Sequence, residues 1–154
     1  MMSSDIQTLK SLDFFADLNF GELEQIAPLM HLMKVTEGEV LTRKGEPART
    51  FFIILSGNFM LSFKEERSFT LHNKGNIIGW STVVTPFRYT GTAIALTDGL
   101  VLYMAGQEFL RLIQSYSALG DKIMRKINKI ISERMPYVTG SWGKGGTNCL
   151  ALKQ

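Results

Sequence analysis

Turn signals interrupt the middle of this chain at short intervals, and this spacing constrains the fold more than any other feature. Between Lys34 and Met104, runs rich in β-branched and aromatic residues alternate with polar breaks, mostly 7 to 12 residues apart. Such spacing is typical of an antiparallel sandwich or barrel. The breaks are Glu37-Gly38, Lys44-Gly45-Glu46, Ser56-Gly57-Asn58, Lys64-Glu65-Glu66-Arg67, Asn73-Lys74-Gly75 and Asp98-Gly99.

The runs between these breaks predict eight short strands, a number that suits a jelly roll, or double-stranded β-helix. The fold class is therefore mainly β with flanking helices, and the roll covers residues 34–104. The strands are placed near residues 34–36, 39–43, 50–55, 58–63, 67–72, 77–78, 91–96 and 100–104.

A helical pattern precedes the roll. Asn19 followed by Glu22 predicts a capped helix start, with a side-chain acceptor at the cap and a carboxylate that reaches back. The apolar spacing continues to about Met33, and Pro28 predicts a kink or a split within the helix.

Helical spacing returns after Gly106. It predicts a short helix over 108–116 and a longer helix from Ser117 to Met135, which ends before Pro136. In the long helix, apolar residues fill an arc of roughly 160°, whereas a helix that covers one surface needs roughly 100°. The excess predicts that this helix is buried against the roll and against a second surface; a wide core-facing helix in a monomer is the alternative.

Composition predicts one globular domain of ordinary kind. The 154 residues are 45% hydrophobic and 20% charged, and the apolar runs are too short to span a bilayer. We expect no signal peptide, and the single cysteine, Cys149, forms no internal disulfide, so a cytoplasmic location is expected. The domain is placed at residues 1–135, and the glycine-containing segment 136–154 is predicted to be a flexible tail.

The charge distribution is uneven. Residues 1–120 carry ten Lys or Arg against twelve Asp or Glu, whereas residues 121–154 carry seven against two. Lys122, Arg125, Lys126 and Lys129 lie within about 100° of one another on the long helix. A basic face can attract nucleic acid, an acidic partner or a membrane surface, although a solvated helix face is the commoner outcome.

Metal and catalytic chemistry find no support in the sequence. His31 and His72 form no His-x-His or His-x-x-x-His pattern, which argues against a histidine-based metal site. Cys149 lies in the tail, and no Gly-x-Ser-x-Gly elbow is present. We therefore predict no enzyme activity, no catalytic residue, no metal and no cofactor, although a small anionic or nucleotide ligand stays open.

Glycine spacing and the stretch from Gly75 to Ala93 resemble a known family. The stretch reads Gly-Asn-Ile-Ile-Gly-Trp-Ser-Thr-Val-Val-Thr-Pro-Phe-Arg-Tyr-Thr-Gly-Thr-Ala, and it follows the turns at Gly38, Gly45 and Gly57. Together these residues resemble the cyclic-nucleotide-binding domain of the Crp/Fnr regulators, from about Leu12 to Met135. The resemblance implies a jelly roll, a regulatory role and a phosphate-binding cassette within residues 75–93.

The cassette departs from the family pattern at two anchors. In the family, a Gly-Glu-Leu-type turn opens a short helix whose N–H groups cradle the cyclic phosphate. The glutamate binds the ribose hydroxyl, and an arginine in an Arg-Ala-Ala-Thr-like run pairs with the phosphate. Gly79 keeps the glycine, and Ser81 and Thr82 offer donors. Trp80 stands where the glutamate would be, and Tyr89 stands where the arginine would be.

Arg88 lies one position before the expected arginine, and successive side chains near a strand start point to opposite sides. Loss of one member of a buried charge pair costs ~2–5 kcal/mol, or roughly thirty- to several-thousand-fold in affinity. We therefore expect weak or absent cAMP binding unless Arg88 takes over. The candidate ligand-binding residues are Gly79, Trp80, Ser81, Thr82, Arg88, Tyr89 and Thr90.

Three interpretations of the cassette stay open. In the first, Trp80 fills the pocket and the domain is a ligand-free interaction module. In the second, Trp80 and Tyr89 wall a site for a different small ligand. In the third, cAMP or cGMP still binds through Arg88 and backbone donors.

The resemblance has further implications for partners and mechanism. The family's final helix forms a dimer interface, so a homodimer is expected through Leu119, Ile123, Ile127, Ile130 and Ile131. We expect no DNA-reading domain, because only 19 glycine-rich residues follow Met135. A separate output protein is therefore expected. The alternative is a truncated transcriptional regulator or one that acts in trans. Ligand binding would move a hinge before the final helix, and the candidates are Gly106 and Tyr116–Gly120.

Overall fold

A computed structural model describes residues 5–140 of the chain. Over this range the chain forms eight strands and four α-helices, with short 3₁₀ turns between them. The strands are β1 (His31–Val35), β2 (Val40–Thr42), β3 (Thr50–Ser56), β4 (Phe59–Ser62), β5 (Ser68–Leu71), β6 (Ile77–Ile78), β7 (Thr92–Ala95) and β8 (Gly99–Ala105). The helices are α1 (Ile6–Lys10), α2 (Phe20–Ile26), α3 (Gly106–Ser115) and α4 (Ser117–Thr139).

The strands form two four-stranded antiparallel sheets, in the orders β1-β8-β3-β6 and β2-β7-β4-β5. The predicted jelly roll with flanking helices is confirmed. Each predicted strand overlaps an observed one, because the glycine and polar breaks do form the turns.

Strand β3 contributes side chains to two hydrophobic cores, one on each face of its sheet. Its side chains alternate between the two faces. Phe51 and Ile53 pack among the helices, whereas Phe52 and Ile54 pack between the sheets. Both faces are therefore covered, which is why β3 reads as a continuous apolar run.

The first helical segment is shorter than the sequence pattern predicts. The capping box of Asn19 and Glu22 is present, with hydrogen bonds of 2.8 and 2.9 Å. However, the helix gives way to a 3₁₀ turn at Ala27–Leu29, and His31–Val35 is strand β1. The prediction of a helix to Met33 is wrong, because β1 pairs along its whole length with β8 and sequence periodicity does not report that partner.

Helix α4 is longer than predicted, because it continues through Pro136 to Thr139. The prediction that it ends at Met135 is wrong. Pro136 has no N–H to donate to the Ser132 carbonyl, and beyond it Arg67 binds two of the carbonyls that the last turn leaves without helical donors. Its Nε donates to the Tyr137 carbonyl at 2.7 Å, and its Nη2 donates to the Val138 carbonyl at 3.0 Å. The helix therefore extends into the predicted tail, and residues 141–154 lie outside the described range.

None of the helices within residues 5–140 is long and apolar enough to cross a membrane.

Candidate functional site

The cassette turn is packed tightly onto the start of β3. Gly79 adopts a left-handed conformation with φ of 96°, and it precedes the 3₁₀ turn Trp80–Thr82. A Cβ at Gly79 would lie 2.8 Å from the Thr50 carbonyl oxygen and 3.4 Å from a ring carbon of Tyr89. Glycine is therefore required here both by the backbone conformation and by the close approach to β3.

Tyr89 has a structural role at the position where the family's arginine would stand. Its hydroxyl donates to the Thr50 carbonyl at 2.8 Å and accepts from the Thr50 N–H at 3.0 Å. Burial raises the pKa of this hydroxyl above its ordinary value, against the lowering effect of the Thr50 and Arg49 backbone. Tyr89 thus stays a neutral group that bridges the cassette to β3.

A guanidinium does reach the cassette, but it comes from α4. The guanidinium carbon of Arg134 lies 5.7 Å from the centre of the Trp80 ring and 5.7 Å from that of Phe69. Trp80 itself is buried, in the core that the helices share with β3. Burial lowers the pKa of Arg134 to about 10, and the nearby Glu133 charge acts in the opposite direction. Arg134 is therefore still a cation at neutral pH.

The cassette leaves little internal space. Its cavity measures about 10 Å³ and is bounded by the turn, by Tyr89 and Thr90, and by Arg134. That is room for about one water molecule. The Thr82 amide and hydroxyl both donate to the Gly79 carbonyl, at 3.1 and 2.9 Å, so these donors are used within the turn.

Arg88 lies apart from this cavity. It is exposed, and its Nη1 donates to the Gly45 carbonyl at 2.9 Å. Thr82 does not line the cavity either, whereas the other five predicted ligand residues do: Gly79, Trp80, Ser81, Tyr89 and Thr90. Their role in binding stays a prediction.

The family model for the cyclic nucleotide-binding domain matches residues 32–116, which is more than half of the chain. The chain belongs to the cyclic nucleotide-binding domain family. The two sheets and the long final helix agree with that domain's jelly-roll fold.

Relatives of this cyclic nucleotide-binding domain include an NTE family protein of Mycobacterium bovis, which is 25% identical over 131 residues. The matched residues cover 85% of this chain and 22% of the relative. Among solved structures, a cyclic nucleotide-binding protein from Geobacter metallireducens has a TM-score of 0.78 at 23% identity, covering 88% of this chain and 99% of that one. The sensor domain of the transcriptional regulator DNR from Pseudomonas aeruginosa has a TM-score of 0.67 at 22% identity, covering 86% and 96%. The domain thus spans about a fifth of the mycobacterial relative.

Three of the five predicted dimer-interface residues are committed to the domain's own core. Leu119, Ile123 and Ile127 are buried within the chain, whereas Ile130 and Ile131 are half-buried. The wide apolar arc of α4 packs against α3 and the 3₁₀ turn Asp13–Phe15, in a core cluster that also contains Phe51 and Ile53 of β3. A homodimer stays a prediction, but its interface would have to use other residues than these three.

The two hinge candidates lie at close contacts. A Cβ at Gly106 would be 3.1 Å from the Thr82 side chain and 3.1 Å from the Arg49 carbonyl oxygen. A Cβ at Gly120 would collide with the Ile113 carbonyl oxygen. The cassette therefore touches α3 at Gly106, and α3 touches α4 at Gly120.

The basic residues of α4 are not equally free. Lys122 pairs with Glu22 at 2.8 Å, and Lys126 lies 3.7 Å from Asp13. Arg125 and Lys129 are exposed. Half of the predicted basic face is thus partly neutralised by the N-terminal segment.

Sequence reasoning missed Arg134, although a signal was available. Arg134 follows Ile127 by seven residues, so the two side chains lie on nearly the same face of α4. An arginine on the buried face of an apolar helix requires a partner or a ligand. The predicted helix ends at Met135, which places Arg134 in the last turn, where a side chain is usually less buried than in the middle of a helix.

Proposed function

We propose that this domain is a regulatory module whose cassette is closed by its own side chains and which does not respond to cAMP or cGMP. A separate output protein reads its state. The observation that carries the proposal is Arg134, which is buried against Trp80 and lines a cavity of only about 10 Å³.

Two features support this proposal over retained nucleotide binding. The Tyr89 hydroxyl is occupied at both hydrogen-bonding positions by Thr50. Arg88 donates to the Gly45 carbonyl and does not line the cassette cavity. A nucleotide would have to displace Arg134 and part of α4 before it met a phosphate partner. Ligand pockets are typically ~300–1,000 Å³, far larger than this cavity.

The contacts also supply a route for regulation. Thr82 of the cassette packs on Gly106, Gly120 of α4 packs on Ile113 of α3, and Arg134 returns to Trp80. A displacement of any one of these contacts would shift the other two. Proteins commonly switch through such rearrangements of helices at packed contacts.

Calorimetric titration of cAMP and cGMP tests the proposal. We expect no binding to the wild type at micromolar concentrations, and binding of cAMP by the double variant Trp80→Glu with Tyr89→Arg. Circular dichroism checks that this double variant is folded; if it is not, the wild-type titration alone still decides.

Micromolar binding of either nucleotide by the wild type would overturn the proposal. The variant Arg88→Ala would then show whether Arg88 carries the phosphate. Hydrogen exchange over residues 106–135 reports whether a bound ligand moves the final helices, and an unchanged pattern with a bound ligand contradicts the regulatory route.

A further inference from the structure

A larger cavity lies beside the closed cassette. It measures about 430 Å³ and is bounded by α4, by the 3₁₀ turn Asp13–Phe15 and by the loop between β5 and β6. This volume falls within the range of ~300–1,000 Å³ that small-molecule sites occupy. Arg134 lines both this cavity and the cassette. We name this cavity the basic groove, after its residues Lys74, Lys126, Lys129 and Arg134.

Positive charge predominates in the basic groove. Its four cations face two carboxylates, those of Asp13 and Glu133. The Asp13 carboxylate lies 3.7 Å from the Lys126 ammonium, so these two charges partly neutralise each other. Lys74 and Lys129 are exposed and make no ion pair with any residue between 5 and 140. Two lysines and one arginine are therefore available to an anion.

Arg134 gives independent support for a ligand. Its side chain is only 7% exposed, and its Nη1 has no hydrogen-bond partner among the described residues. With a pKa of about 10 it keeps its charge at neutral pH. A buried cation without a carboxylate partner is unfavourable. Arg134 lines the groove, so an anion bound there would bring negative charge close to its guanidinium.

The loop opposite α4 is rigidly placed. The Gly75 N–H donates to the Ile54 carbonyl at 2.7 Å, and the Asn73 N–H donates to Asn76 Oδ1 at 3.0 Å. Gly75 adopts a φ of 96°. These bonds position the loop that carries Lys74, which lines the groove together with Lys129.

We propose that the basic groove binds a small organic phosphate, whose phosphate groups contact Lys74, Lys129 and Arg134. Lysine binds phosphate as a point charge, and arginine adds a planar fork of donors. Cations from both sides of the groove suit more than one phosphate group. Phe14 and Leu71 offer an apolar wall for the organic part of the ligand. This inference does not depend on whether the cassette binds a cyclic nucleotide.

Calorimetry on the full chain with sodium pyrophosphate and with ADP tests this site. We expect both to bind, ADP more tightly because of the apolar wall, and both more weakly when NaCl is raised from about 50 to about 200 mM. Lys129→Glu should weaken binding by about tenfold or more. Arg111→Glu is the matched control, because it makes the same charge change at an exposed residue of α3 that does not line the groove, and it should weaken binding by less than about threefold.

Two results would overturn the inference. One is that neither compound binds at concentrations up to about 1 mM, a dissociation constant that corresponds to weak binding. The other is an equal loss of affinity in Lys129→Glu and Arg111→Glu, which would mean a general attraction to the positive charge of the domain. Neither result bears on the closed cassette, which the cAMP titration tests separately.

Discussion

Arg134 of α4 lies over Trp80 of the cassette, with 5.7 Å between the guanidinium carbon and the ring centre. The two residues are 54 positions apart, and their contact joins the C-terminal helix to the turn that binds phosphate in the wider family. The contact places a buried cation where it lines both the cassette cavity and the basic groove.

Arg134→Met should stabilise the domain at pH 7, by up to about 2 kcal/mol in the free energy of unfolding. Replacement of a buried charge by an apolar chain of similar volume is often neutral or stabilising, and this gain is reduced by the lost stacking on two rings. Urea unfolding followed by circular dichroism measures it. A destabilised variant would mean that stacking on Trp80 and Phe69 outweighs desolvation of the guanidinium.

The extra stability of Arg134→Met over the wild type should also depend on pH. The folded-state pKa of Arg134, about 10, is below its ordinary value. Between the folded-state pKa and the ordinary, unfolded-state pKa, the unfolded chain binds more protons, so the wild type gains stability from this group as pH rises. Unfolding curves should show a smaller difference in the free energy of unfolding between the variant and the wild type at pH 11 than at pH 9. A constant difference would show that Arg134 titrates alike in both states.

Tyr89→Phe should lower the free energy of unfolding by roughly 1–3 kcal/mol, because both the N–H and the carbonyl of Thr50 lose their hydroxyl partner. Tyr116→Phe is the control, since Tyr116 is exposed and should change stability by less than about 0.5 kcal/mol. Thermal unfolding compares the two variants. Equal effects would rule out a special role for the Tyr89 hydroxyl.

Arg67→Met should release the end of α4. The wild-type guanidinium holds the Tyr137 and Val138 carbonyls, and Phe69 packs edge-on against the Tyr137 ring at 4.5 Å. Amide hydrogen exchange of residues 134–140 should become faster, while that of β3 stays slow. Glu65→Gln is the control, because it removes only the exposed ion-pair partner of Arg67. Similar exchange in both variants would contradict the role assigned to Arg67.

Gly120→Ala should destabilise the domain by roughly 1–3 kcal/mol, because a Cβ there collides with the Ile113 carbonyl oxygen at the α3–α4 contact. Gly21→Ala makes the same change in α2, where the added Cβ meets only ordinary contact distances. It should stabilise by up to about 1 kcal/mol through helix propensity. Thermal unfolding that moves both variants in the same direction would refute the packing argument.

The positions of the strands were predictable because the turn residues between them are visible in the sequence. Gly38, Gly45 and Gly57 all adopt positive φ, and each interrupts the strand pattern where the sequence predicts a turn. The ends of the helices were less predictable. His31–Val35 continues an apolar helical spacing yet pairs with β8, and Pro136 continues a helix because Arg67, 69 positions earlier, binds the carbonyls beyond it.

The amino-acid sequence by itself determined the jelly roll, the capped helix α2, and the replacement of two phosphate-site anchors by Trp80 and Tyr89. Periodicity, turn residues and motif spacing are local properties, and they can be read without coordinates. Only the tertiary structure decided what those aromatic residues do. Tyr89 bonds to a strand 39 positions away, and Arg134 reaches Trp80 because α4 folds back across the roll. Such contacts depend on how distant segments pack, and no local pattern in either segment specifies the other.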